Sequence, residues 1–201
     1  MADHYFSDHP DSRSDIREIS YGLGSISMRF LTDHGVFSIS RVDHGTDLVL
    51  KTVLKDRLTA PESVLDMGCG YGPIGLTLAK AWPTCSVTML DVNSRAMELA
   101  EKNRVLNGLP EEIRIVRQEE LAASRFEMVV TNPPVRAGKT TVYSLFALAQ
   151  QHMAAQGALY VVLRKNQGAP SAAKELIRLF GNCEIINRQS GYHILKSRKA
   201  E

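Results

Sequence analysis

Long apolar runs are missing from this 201-residue chain: the longest aliphatic stretch in its C-terminal half is LYVVL, far too short to span a bilayer. Cysteine is scarce. Cys69, Cys85 and Cys183 have neither C-x-x-C spacing nor an even count, which disfavours a disulfide framework and a zinc site and leaves small buried side chains as the better reading. The histidines, His4, His9, His34, His44, His152 and His193, show no ligand spacing, so no metal site is expected. Neither G-x-S-x-G nor a Walker lysine is present, which excludes the nucleophile elbow and the P-loop. The opening MADHYFSDHPDSRSD carries acids and histidines where a secretory signal needs a basic start and an apolar run, and a cytoplasmic protein is expected. Internal repeats and low-complexity tracts are also missing.

What is there is the composition of an ordinary globular protein, 44% apolar and 23% charged. The length allows one substantial core. We expect an N-terminal extension over residues 1–45, with short strands packed on the core, and a single domain over 46–201. The net charge of +2 conceals a division: residues 1–131 hold 14 Lys and Arg against 19 Asp and Glu, whereas 132–201 hold 10 against 3. A polyanion-binding face and scattered solvated lysines both account for the basic half.

From about residue 63, short apolar runs alternate with helical patterns: SVLDM, PIGLTLAKAW, SVTMLD, SRAMELAEKNRVLNG, IRIV, FEMVVTN, TVYSLFALAQQHMAA, GALYVVL, SAAKELIRLFG, CEIINR and YHILKS. Near-continuous apolar strands separated by helices predict an α/β, doubly wound, mostly parallel sheet covered on both faces. In the third helix Ala96, Leu99, Ala100, Asn103 and Leu106 share one face, Ser94 is the expected cap and Asn107-Gly108 the stop. The last two strands are joined by QSG, too short for a crossover, so they pair antiparallel. Upstream, DLVLKTVLKDRL reads as an amphipathic helix, and SISMRF with GVFSIS as strands or a hairpin.

The sequence VLDMGCGYGPIG follows a strand and opens a helix; Gly68, Gly70 and Gly72 let the backbone turn tightly and approach a ligand. The next strand ends in Asp91, placed to accept hydrogen bonds from a ribose diol. Together they point to an adenosine-type cofactor. A nicotinamide dinucleotide follows the same logic, but Pro73 stands where the third Rossmann glycine belongs. A second signal is VVTNPPVRAGK, in which a strand ends in Asn132 and two prolines that discard two backbone donors in succession.

Asp66-x-Gly68-x-Gly70-x-Gly72, the acidic end of the second strand and Asn132-Pro133-Pro134 resemble the motifs of class I S-adenosylmethionine-dependent methyltransferases. More narrowly, GVFSISRVDHGTDLVL, TNPPVRAGK and RKNQGAPSAAKEL resemble the small-domain methyltransferases related to bacterial 16S rRNA guanine-N2 methyltransferases, over nearly the whole chain. The resemblance implies a Rossmann-like sheet of seven strands, S-adenosyl-L-methionine held by Asp66, Gly68, Gly70, Gly72, Asp91, Val92 and Gln118 with Asn132, and RNA, ribosomal or in a ribosomal particle, as the partner.

An exocyclic guanine or adenine amine is a poor nucleophile while its lone pair is delocalised into the ring. In the catalytic role this implies for Asn132, Pro133 and Pro134, the Asn132 side-chain oxygen and the Pro133 carbonyl each take one amine hydrogen, and Pro134 holds Pro133 extended. No aromatic follows the prolines. Val135 stands there, and Phe37, Tyr71 and Tyr143 are the candidates for stacking on a base. Arg136, Lys139, Arg164 and Lys165 are candidates for phosphate contacts. Methylation of a protein glutamine or a DNA adenine fits the same Asn-Pro-Pro site, and a catalytically inactive RNA-binding module fits the same fold.

Overall fold

The computed structural model describes residues 15–34, 38, 40–121 and 123–201. In chain order the elements are β1 (Arg17–Leu23), β2 (Ile26–Thr32), α1 (His44–Asp56), β3 (Ser63–Met67), α2 (Pro73–Ala81), β4 (Ser86–Leu90), α3 (Ser94–Leu106), β5 (Arg114–Val116), β6 (Phe126–Thr131), α4 (Lys139–His152), β7 (Met153–Arg164), α5 (Ala169–Phe180), β8 (Glu184–Gln189) and β9 (Tyr192–Arg198). The seven-stranded sheet runs β5-β4-β3-β6-β7-β9-β8. Its pairs are parallel as far as β7, and β9 lies antiparallel between β7 and β8, so the last strand alone is reversed. The reversal is made at Ser190 and Gly191, with φ of 49° and 79°. Left-handed φ at both positions is what a two-residue hairpin turn needs.

Side-chain alternation divides the core in two. In β7, Ala158, Tyr160 and Val162 join the cluster under α1, α2 and α3, and Leu159, Val161 and Leu163 join the cluster under α4 and α5. Each buried Val or Leu side chain among these contributes about 1.5–3 kcal/mol. Helix α2 lies close to the sheet because residue 75 is glycine: a Cβ there would stand 2.5 Å from the Met89 sulfur.

The structure revises several expectations. The N-terminal hairpin is β1 with β2, in register from Arg17 opposite Thr32 to Leu23 opposite Ile26, and the strand expected over SISMRF is β2. In β1 Ile19, Tyr21 and Leu23 alternate toward the core with none of them fully buried, and most of GVFSIS, Phe37 included, lies outside the described residues. Helix α3 is capped by Asn93, whose side chain accepts from the Ala96 amide; Ser94 is already helical. The fourth helix stops at His152, and β7 begins at Met153. The boundary expected after residue 45 falls within the first turn of α1.

Asn103, expected on the apolar face of α3, is fully buried with both ends of its amide paired. Its oxygen accepts from the Leu31 amide at 2.6 Å, and its nitrogen donates to the Leu31 carbonyl at 3.0 Å and the Tyr71 carbonyl at 2.9 Å. One turn later Asn107 makes the same two-way pairing with the backbone of Arg29. Two side-chain amides thus act as a strand along the edge of β2 and tie the hairpin to the glycine loop. Among the described residues no helix is long and apolar enough to cross a membrane.

Candidate active site

The chain leaves β3 to build β4 and β5 on one side and β6 onward on the other, so the carboxyl ends of β3 and β6 flank the topological switch point. A cavity of about 860 Å³ opens there, lined by the glycine loop, Asp91, Val92, Gln118, the segment from Asn132 to Ala137, Arg164 and Tyr192, with Asp43 and Thr46 from the start of α1.

At one end of the cavity the glycine loop is folded onto β4. Gly68 and Cys69 both donate their amides to the Leu90 carbonyl, at 2.8 and 3.0 Å. Gly70 donates to Asp91 Oδ2 at 2.8 Å, and Val92 and Asn93 donate to Asp91 Oδ1 at 2.8 and 2.9 Å. Burial raises the Asp91 carboxyl above its usual range, and these three backbone bonds act against the rise. Three of its roughly four lone-pair sites are used, which leaves one on Oδ2. Gly72, at φ 94°, ends the loop and precedes Pro73 at the start of α2.

Asp66 sits behind the loop and is fully buried. Its Oδ2 accepts from Gly75 at 2.8 Å, and its Oδ1 has no partner. Burial pushes this carboxyl up to about 7, against the pull of the Gly75 amide, and the nearby Asp91 adds to the rise. A Cβ at Gly68 would meet nothing within 4 Å. Open space over the loop and a spare lone pair on Asp91, which lines the cavity, fit a polar, adenosine-bearing ligand.

At the other end β6 delivers Asn132. Its Nδ2 donates to Asp43 Oδ2 at 3.2 Å and to Thr46 Oγ1 at 3.0 Å. The Pro133 carbonyl accepts from the Val135 amide at 2.8 Å across Pro134, whose φ of −74° and ψ of 76° form an inverse γ-turn. Although two prolines discard two backbone donors here, the Val135 amide still engages this carbonyl, and one of its two lone pairs remains.

The basic candidates separate. Arg136 and Arg164 line the cavity, and the Arg164 guanidinium lies 4.7 Å from the Tyr192 ring centre. Lys139 lies over the Tyr143 ring at 5.3 Å, and neither it nor Lys165 lines the cavity. Of the aromatic candidates, Tyr71 lines the cavity with its hydroxyl buried and unpartnered, whereas Tyr143 packs on the core under α4 and donates to the Ser171 carbonyl. The sequence did not single out Asp43, Thr46 or Tyr192. A signal for the first existed in VDHGTD, where an aspartate precedes a helix as its cap. Among the described residues no cluster of His, Cys, Asp and Glu could hold a metal.

Residues 27–196 match the family described as methyltransferase small domain. An uncharacterized protein of Bacillus subtilis, YbxB, is 38% identical over 99% of this chain and its own whole length. Ribosomal RNA small subunit methyltransferase C of Aeromonas hydrophila is 36% identical over 69% of this chain and 41% of its own. In structure the chain is similar to a T. thermophilus 16S rRNA N2 methyltransferase solved with AdoMet and guanosine, at a TM-score of 0.82 and 22% identity over 92% of this chain and 50% of that one. The chain thus spans about half or less of the length of the rRNA methyltransferases it matches. With a family match across most of its length and a glycine loop facing an Asn-Pro-Pro strand end over one cavity, the chain belongs to the methyltransferase small domain family.

Proposed function

We propose that the protein is an S-adenosylmethionine-dependent N-methyltransferase acting on the exocyclic N2 amine of a guanine in RNA. The observation that carries this reading is the placement of Asn132 and Pro133 in the same cavity as the glycine loop and Asp91. Asp91, Val92, Gln118 and the loop from Asp66 to Gly72 would hold the cofactor, which when bound supplies an electrophilic methyl group. At the acceptor end, Asn132 Oδ1 and the remaining lone pair of the Pro133 carbonyl each take one amine hydrogen. That draws the nitrogen lone pair out of conjugation and aims it across the cavity. Neutral acceptors suffice, because the amine loses its proton only after it has become cationic. Arg136 and Arg164 at the rim offer charge to a phosphate backbone, in keeping with the basic C-terminal half.

The test is transfer of labelled methyl groups to total RNA from cells lacking this protein, followed by nucleoside analysis. The expected product is N2-methylguanosine. Label in N6-methyladenosine or in protein glutamine would replace the guanine reading with another amine or amide acceptor. RNA binding without transfer would reduce the protein to a binding module.

A further inference from the structure

We propose that Asp43 and Thr46 are positioning residues that decide which end of the Asn132 amide faces the acceptor. The inference rests on the role given to Asn132 above. The two ends of a carboxamide have nearly the same shape, so packing alone does not choose between them. Chemistry does. Asp43 Oδ2 already accepts from the Gly45 and Thr46 amides, and it stands 3.2 Å from one end of the Asn132 amide, so that end is NH2. Thr46 Oγ1, buried and 3.0 Å away, takes the second hydrogen. Rotating the amide by half a turn would set its oxygen against a carboxylate oxygen. Both donors are thereby spent on α1, and among the described residues nothing donates to Oδ1. The catalytic oxygen is left for the acceptor amine.

The clamp is itself braced. Asp43 Oδ2 also accepts from the Gly45 and Thr46 amides, at 2.8 and 3.3 Å, as the cap of α1. Gly45 leaves no slack: a Cβ there would lie 2.9 Å from both Asp43 Oδ2 and Tyr192 Cε1. Helix α1, otherwise part of the core packing, fixes the polarity of a side chain 89 residues further along.

A charge exchange tests this. In Asn132→Asp two carboxylates meet, and one proton shared between them can stand in for the amide hydrogen. That variant is expected to keep partial activity on the acid side and to lose it as pH rises and the shared proton leaves. Adding Asp43→Asn restores a donor opposite the introduced carboxylate, so the double variant should lose this pH dependence and regain roughly 10- to 100-fold in turnover above neutrality. Among the described residues the other titratable or charged groups lining the cavity are Cys69, Tyr71, Asp91, Arg136, Arg164 and Tyr192, with the His44 ring tilted against Tyr192; His44→Gln in both backgrounds is the control for that ring. Asp43→Asn alone preserves the helix cap and should lower kcat with little change in cofactor affinity. Thr46→Val should act in the same direction, and Thr46→Ser should recover the loss. A second readout needs no acceptor: the Asn132 side-chain amide hydrogens should exchange slowly in the parent protein and faster in Thr46→Val. If the parent's hydrogens exchange at the solvent rate, or if the double variant is no better than Asn132→Asp at any pH, the positioning role is overturned. Failure to methylate RNA would instead strike the proposed function, and the exchange measurement would still decide this one.

Discussion

The two ends of the cavity are held by different means. At the glycine-loop end, Asp91 is fixed by three backbone amides within 21 residues of it. At the acceptor end, Asn132 is fixed by two side chains from a helix 86 and 89 residues earlier. Backbone anchors survive most substitutions around them, because every residue but proline carries the same N–H. Side-chain anchors do not. The loop end is therefore built to be general and the acceptor end to be specific, and single substitutions should reach chemistry more readily at the second.

The largest expected effect is at the acceptor end. Asn132→Ala should cut turnover by roughly a hundred- to a thousandfold, the scale of losing one preorganised polar group from an active site. Calorimetry should show cofactor affinity nearly unchanged. Parent-rate methylation by a folded, cofactor-bound alanine variant would remove Asn132 from the reaction. At the loop end, Asp91→Ala should weaken S-adenosylmethionine by about 1.5–3 kcal/mol, because a charged acceptor is lost from a partly desolvated site. It should also release the Gly70 amide to faster hydrogen exchange. Unchanged affinity would mean that Asp91 serves the loop alone.

Asp66 offers a pH test of the same end. Its folded pKa, raised to about 7, stands above the usual carboxylate range near 4. The folded state therefore holds a proton that the unfolded chain releases. Stability contributed by this group is full below about pH 4 and falls as pH rises toward 7. Denaturant unfolding across that window should show a shallower decline in Asp66→Asn than in the parent. Equal slopes would mean that Asp66 folds already ionised.

The smallest effects belong to the rim. If Arg136 and Arg164 meet phosphates, each neutralisation should flatten the salt dependence of RNA binding by about 0.7–0.9 in the log–log slope. Lys139 and Lys165, which lie off the cavity, should matter less. Equal slopes for the two pairs would return the arginines to the ordinary surface.

The loop end was legible in the sequence and the acceptor end only in part, for the same physical reason. Glycines before a helix, an acid after a strand and prolines after Asn132 are local signals, and SVLDM coincides with β3 residue for residue. The clamp on Asn132 is a long-range contact, and no periodicity connects VDHGTD to TNPP. Tyr192 reaches the cavity only because β9 inserts beside β7, which the short turn before it implied as a reversal without giving the neighbour. Asn103 stands on an apolar face in the sequence, yet its role depends on a contact with the Leu31 backbone at the edge of β2, 72 residues away.

That edge has a consequence for the order of events during synthesis. The amides that seal β2 at Arg29 and Leu31 come from residues 78 and 72 positions later. The hairpin leaves the ribosome with its outer edge open and stays so until α3 has been translated and folded. An open strand edge is a template for pairing with other chains. Helix α3 thus closes this edge of the nascent chain. Slowing translation between residues 33 and 102 should raise the yield of aggregated chains, and Asn107→Ala should prolong the hazard into the finished protein.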